Sequence, residues 1–182
     1  GAPKGKKVGV EVGFISDLLL MNALASAGLT DKDVELVNVP TDQTPQTLKA
    51  GDVSAIVAWQ PNSGQALKEV PGSKAVFTSA NVPGLIYDAL YVSPKSLKER
   101  RADWLKVAKV WFRIADYLKD PQNADEAAKI MAARVGLTAD TYQPLMGGTH
   151  FLDLAGNIET YKKGDTLKSI YGSSKIVDKF QT

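Results

Sequence analysis

Val8, Val10 and Val12 alternate with polar or small residues, the period of a half-buried strand, so residues 7–12 are expected to be extended. The period then lengthens, and Leu18, Leu20 and Leu24 mark a helix over 15–27 with Gly28 at its left-handed stop. Residues 34–39 read as a second strand ended by Pro40. Thr44 and Pro45 suit the cap and first position of a short helix finishing at Gly51, and 53–59 is a third strand. Strands and helices joined by such short connections predict parallel strands linked by right-handed crossovers, an open α/β lobe.

Past Pro61 the pattern changes. Residues 62–69 suit one or two helical turns, 74–79 a short strand, and 81–84 a turn. LIYDALYV, over 85–92, fits a strand buried on both faces, with Asp88 out of place among apolar neighbours. After Pro94 the chain reads as helical. Trp104, Val107, Ala108, Trp111, Ile114, Ala115 and Leu118 form one broad apolar stripe on a long helix over 102–119. Asp120-Pro121 ends that helix and opens another to about 135, where Gly136 stops it; Thr138 begins a third, and the residues from Tyr161 suit a surface helix or two. These helices have no sheet of their own and call for a covering surface.

Composition narrows the function classes. The chain has 182 residues, 44% hydrophobic and 23% charged, which suits one generous globular domain or two small ones. A net charge of +2, with scattered basic residues, argues against a nucleic-acid partner. Cysteine is absent, which removes disulfide frameworks and thiolate chemistry. Gly1 to Gly5 lacks an apolar core and reads as a processed end, an expression scar or a linker rather than a signal peptide. Glycine spacing fits neither a dinucleotide fingerprint nor a phosphate loop, and no nucleophile elbow is present. No cofactor, metal site or catalytic residue is expected, and His150, the single histidine, reads as a surface or capping residue.

The turn V-G-F-I-S aims a helix N-terminus above the sheet. Its unpaired backbone N–H groups and partial positive charge can hold an anionic or polar ligand without catalysis. Trp59, Gln60 and Asn62 follow the third strand at its carboxyl end, where open α/β sheets present residues to a cleft. Trp59 either stacks on a ligand body or is a core tryptophan; Gln60 offers a bidentate amide, and Asn62 is a weaker candidate of the same kind.

The runs KGKKVGVEVG, DVELVNVP, GDVSAIVAWQP, GLIYDALYVSPKSL and FLDLAGN, in this order, resemble the periplasmic substrate-binding proteins of ABC importers for nitrate, taurine and alkanesulfonates, the NMT1-like group with the type II periplasmic-binding fold. The resemblance implies two α/β lobes hinged around a cleft, with residues 6–88 as the ligand-binding half of lobe 2. Residues 89–182 would be the hinge crossing and helices that pack on lobe 1, whose own strands would precede KGKKVGV. It makes Gly13, Phe14, Ile15 and Ser16 the ligand-facing turn, though Ser16 equally suits a plain helix cap and Phe14 a hydrophobic staple. Asp88 is read as a hinge residue accepting backbone N–H bonds, and Asn157 as a cleft residue from the lobe 1 side.

The expected role is therefore a solute binder, not an enzyme. It would close on a small anionic or polar organic compound outside the cytoplasm and deliver it to a membrane permease. A pyrimidine-type binder, or a pyrimidine-synthesis enzyme relative on the same fold, is the alternative. An effector-binding regulator would carry a DNA-binding helix pair that this sequence lacks. The apolar stripe adds an expectation of a homodimer or segment exchange.

Overall fold

The computed structural model describes residues 4–181, with the side chain of Gln181 left aside, so most of the Gly1–Gly5 reading lies outside the described residues. Three strands, β1 (Lys7–Val10), β2 (Glu35–Asn38) and β3 (Ala55–Ile56), form a parallel sheet in the order β2-β1-β3. Val8 pairs with Leu36 on one side and Ala55 on the other, which makes β1 the central strand. The crossovers are α1 (Ile15–Ser26) and α2 (Thr44–Ala50), followed by α3 (Asn62–Glu69). Gly28 and Gly51 end the first two with positive φ.

The contacts divide the chain into two units. One holds the residues up to Ile86 together with those from Lys163 onward, and the other is Tyr87–Lys162. The last helix, α9 (Ile170–Gln181), thus belongs with the sheet, whereas the sequence grouped it with the other late helices. Ser173 Oγ ties it there, donating to the Leu85 carbonyl at 2.9 Å. Within the late segment itself, a Cβ on Gly172 would stand 2.2 Å from the Thr166 carbonyl oxygen.

The core of the sheet unit is Val8, Val10, Leu20 and Leu24, flanked by Met21, Leu29, Val34, Leu36, Ala55 and Val57. Burying each such aliphatic side chain stabilises by about 1.5–3 kcal/mol. Gly9 lies on the opposite face of β1, where an added Cβ would already sit 3.4 Å from Ile56 Cγ2.

The second unit is helical: α4 (Pro94–Glu99), α5 (Arg101–Lys119), α6 (Ala124–Arg134), α7 (Ala139–Met146) and α8 (Leu154–Thr160). Ser93, Thr138 and Asp153 cap α4, α7 and α8 through their side chains, as helix starts require. The apolar stripe of α5 splits in two. Ala115 is buried and Trp104 half-buried, its indole N–H donating to Ser96 Oγ at 3.0 Å, while Val107, Trp111 and Ile114 are exposed.

Three sequence expectations need correction. Residues 74–79 and 85–92 are not strands: Val76, Leu90 and Tyr91 are exposed, and two-sided burial requires flanking strands that a local pattern cannot supply. Thr44 does not cap α2; its hydroxyl donates to the Thr41 carbonyl at 2.7 Å, and no side chain caps that helix.

Candidate functional site

Because β1 and β3 are adjacent and parallel, the chain leaves both at the same edge of the sheet, the edge where open α/β folds present ligand contacts. After β1 the backbone is braced from β2 and beyond. Val12 N–H donates to Asn38 Oδ1 at 3.0 Å, and the Thr41 hydroxyl donates to Glu11 Oε2 at 2.9 Å. Gly13 follows with φ +82, a left-handed conformation that a side chain would strain, and nothing occupies the space where its Cβ would be. Its N–H donates to Asp17 Oδ2 at 2.9 Å.

Phe14 is the residue at the helix boundary and offers no side-chain cap. Its carbonyl receives the N–H groups of Asp17 and Leu18 at 3.0 and 3.2 Å. Among the described residues no acceptor meets the N–H groups of Ile15 and Ser16. Gly13, Phe14 and Ile15 are exposed, so the amide-rich bend is open rather than sealed. At 61% exposure Phe14 is too open for a hydrophobic staple, and Ser16 is no cap: it lies inside the first turn, buried, its Oγ without a hydrogen-bond partner. Asp17 Oδ1 shares that state. An unpartnered buried polar atom is costly in a folded chain, and two in consecutive residues single this turn out.

Past β3, Trp59 is 48% exposed rather than part of the core. Gln60 is exposed, precedes a cis peptide to Pro61, and its Oε1 accepts the Gly64 N–H at 3.1 Å. That bond occupies the amide oxygen at the start of α3 and leaves the Gln60 side-chain NH₂ as its outward donor. Asn62, the first residue of α3, is half-buried. Asp88 is exposed, with no hydrogen bond to its carboxylate among the described residues. His150 is exposed, and Asn157 donates to the carbonyls of Leu152 and Asp153 at 3.0 Å, which ties it to the start of α8.

Sequence reasoning passed over Asp17, Asn38, Glu11 and Thr41. The available signal was Asp17, an acid in the first turn of a helix where the backbone field favours one. Its burial and its bond to Gly13 are tertiary facts.

The parallel sheet with its helical crossovers and the turn at its carboxyl edge form an α/β lobe of the periplasmic-binding type. The description "NMT1-like family" matches residues 2–132, and the chain belongs to that family. It is similar to the periplasmic aliphatic sulphonate binding protein SsuA of Escherichia coli, with a TM-score of 0.70 over 97% of this chain and 57% of that one at 19% identity, a likeness of fold. A Brachyspira hyodysenteriae protein provisionally named as an ABC transporter periplasmic binding protein is 30% identical over 124 residues, 66% of this chain and 35% of the relative. A Haemophilus influenzae protein provisionally named for thiamine biosynthesis is 50% identical over 54 residues, 30% of this chain and 17% of the relative. The matches thus span well under two thirds of each relative's length.

Proposed function

We propose that the chain is part of the solute-binding component of an ABC importer, working in the periplasm, gripping a small polar organic solute and handing it to a membrane permease without chemical change. The observation that carries this reading is the turn with exposed Ile15 and buried Ser16, whose two backbone N–H groups have no acceptor among the described residues. Backbone donors at a helix start hold an oxygen-rich or polar group by geometry and field alone. Gly13, Phe14, Ile15 and Ser16 form the floor of the site, Trp59 gives a face for the solute body, and Gln60 and Asn62 supply amide contacts from the segment that follows β3. Asp88 follows the point where the chain passes from one unit to the other, between Ile86 and Tyr87, and its proposed role is that of a hinge residue.

Sulfonate, taurine and nitrate are the solutes that the family resemblance and the name of the E. coli neighbour favour. A pyrimidine-type solute is the second reading, favoured by the H. influenzae relative's thiamine name, since thiamine contains an aminopyrimidine ring. The exposed row Val107, Trp111 and Ile114 is assigned to self-association through a second copy. A thermal-shift screen with ethanesulfonate, taurine, nitrate and cytosine tests the transport reading. A melting temperature raised by at least one solute, and not raised after Trp59→Ala, supports it; four flat curves contradict it.

A further inference from the structure

We propose that Asp17 selects the solute's charge: besides the polar group that the Ile15 and Ser16 N–H groups receive, the solute presents an ammonium or another N–H donor on a small apolar body to the groove beside Asp17, and simple anions are turned away. This rests on the solute-binding reading above and names the chemistry of its ligand.

A helix N-terminus attracts negative charge, but here the chain supplies that charge itself. Asp17, 6% exposed, sits in the first turn with Oδ2 on the Gly13 N–H at 2.9 Å. An incoming sulfonate would meet a resident carboxylate in a poorly solvated place, where like charges repel more strongly than in water. Oδ1 of Asp17 is buried and has no donor, as is the hydroxyl oxygen of Ser16 beside it. The Ser16 hydroxyl can donate or accept, but the carboxylate only accepts, so an N–H brought beside Asp17 relieves it and a second acceptor there worsens its state.

The groove alongside agrees. It is an open groove of about 600 Å³, lined by Gly13, the carboxylates Asp17 and Asp31, and the apolar Met21, Leu36 and Phe180, with no lysine or arginine among its lining residues. Such a lining suits a cationic or donor-rich head on an apolar body, and Phe180 can add attraction between a cation and its ring.

The test is an amide NMR titration of the chain with two probes of matched body and opposite charge, phenethylammonium and 2-phenylethanesulfonate. The expected result is saturable shifts at Gly13, Ile15 and Ser16 with the ammonium, at a Kd at least ten-fold below that for the sulfonate. Asp17→Asn should narrow that ratio at least ten-fold, and Asp17→Glu should keep its direction. The wild-type ratio stands as a test even where a variant fails to fold. Tighter binding of the sulfonate, or a ratio unchanged by Asp17→Asn, overturns the inference and leaves the transport reading intact. Silence with both probes also overturns the inference, while the solute screen described above decides the transport reading separately.

Discussion

The sheet unit and the helical unit solve the problem of burial differently. The first closes a core of its own, with Val8, Val10 and Leu24 each at most 2% exposed around a central strand. In the second, the hydrophobic residues buried below a tenth are the small ones Ala115, Ala127, Ala128 and Ala132, and its longest helix leaves Val107, Trp111 and Ile114 open. Alanine contacts let helices approach closely but remove little apolar area from water, so stability per residue is expected to concentrate in the sheet unit. The turn proposed to receive the solute is built on the unit with the larger side chains in its core, and packed elements are where precise geometry is easiest to hold. The helical unit instead leaves apolar side chains exposed, the surface proposed above for self-association.

Substitutions can break this contrast. Leu24→Ala, in the core of the sheet unit, should have the largest effect, a loss of about 2–5 kcal/mol read from urea unfolding. A loss below about 1 kcal/mol would mean that the sheet unit is not the better packed of the two. Gly172→Ala should cost about 1–3 kcal/mol, because the added Cβ meets the Thr166 backbone at 2.2 Å and something must shift; faster amide exchange across 163–172 is the local readout. Ser173→Ala removes a buried donor to the Leu85 carbonyl and should cost about 1 kcal/mol, again by urea unfolding. At the other extreme, Trp111→Gln should change stability by no more than about 0.5 kcal/mol. The same change should reduce self-association measured by light scattering, and a monomer at every concentration in the wild type would remove the second-copy assignment.

Acid sharpens the comparison within the helical unit. The Lys119 ammonium, and after it the Gly156 N–H, hold the Asp153 carboxyl below the usual carboxylate range. A carboxyl depressed in the folded state adds stability above its unfolded pKa and loses it as pH falls through the folded value. Melting of the wild type should therefore fall more steeply below about pH 4 than that of Asp153→Asn. Parallel curves would show that this cap does not carry the acid response.

Much of the fold was legible because it is local. Strand alternation around Val8 and Val10, the helix after Gly13 and the stop at Gly28 each depend on a few neighbouring residues, and the parallel sheet follows from the short connections. Residues 85–92 misled for the opposite reason: an apolar run states a need for neighbours without saying that they are there. The stripe on α5 shows the same limit, since its periodicity names the apolar face but not which half is covered. At the site, the exposed bend and Trp59 lay where strand ends predict them, whereas Asp17 looked like an ordinary first-turn acid until its burial and its bond to Gly13 were seen.

The central claim is that a bend of backbone donors after β1 and an indole after β3 receive one solute together. The most direct measurement follows the Ile15 and Ser16 amides and the Trp59 indole N–H by NMR while ethanesulfonate, taurine, nitrate and cytosine are titrated in turn. The account predicts that at least one solute moves all three signals along a single saturation curve. A solute that raises the melting temperature yet leaves those three signals unmoved would contradict it.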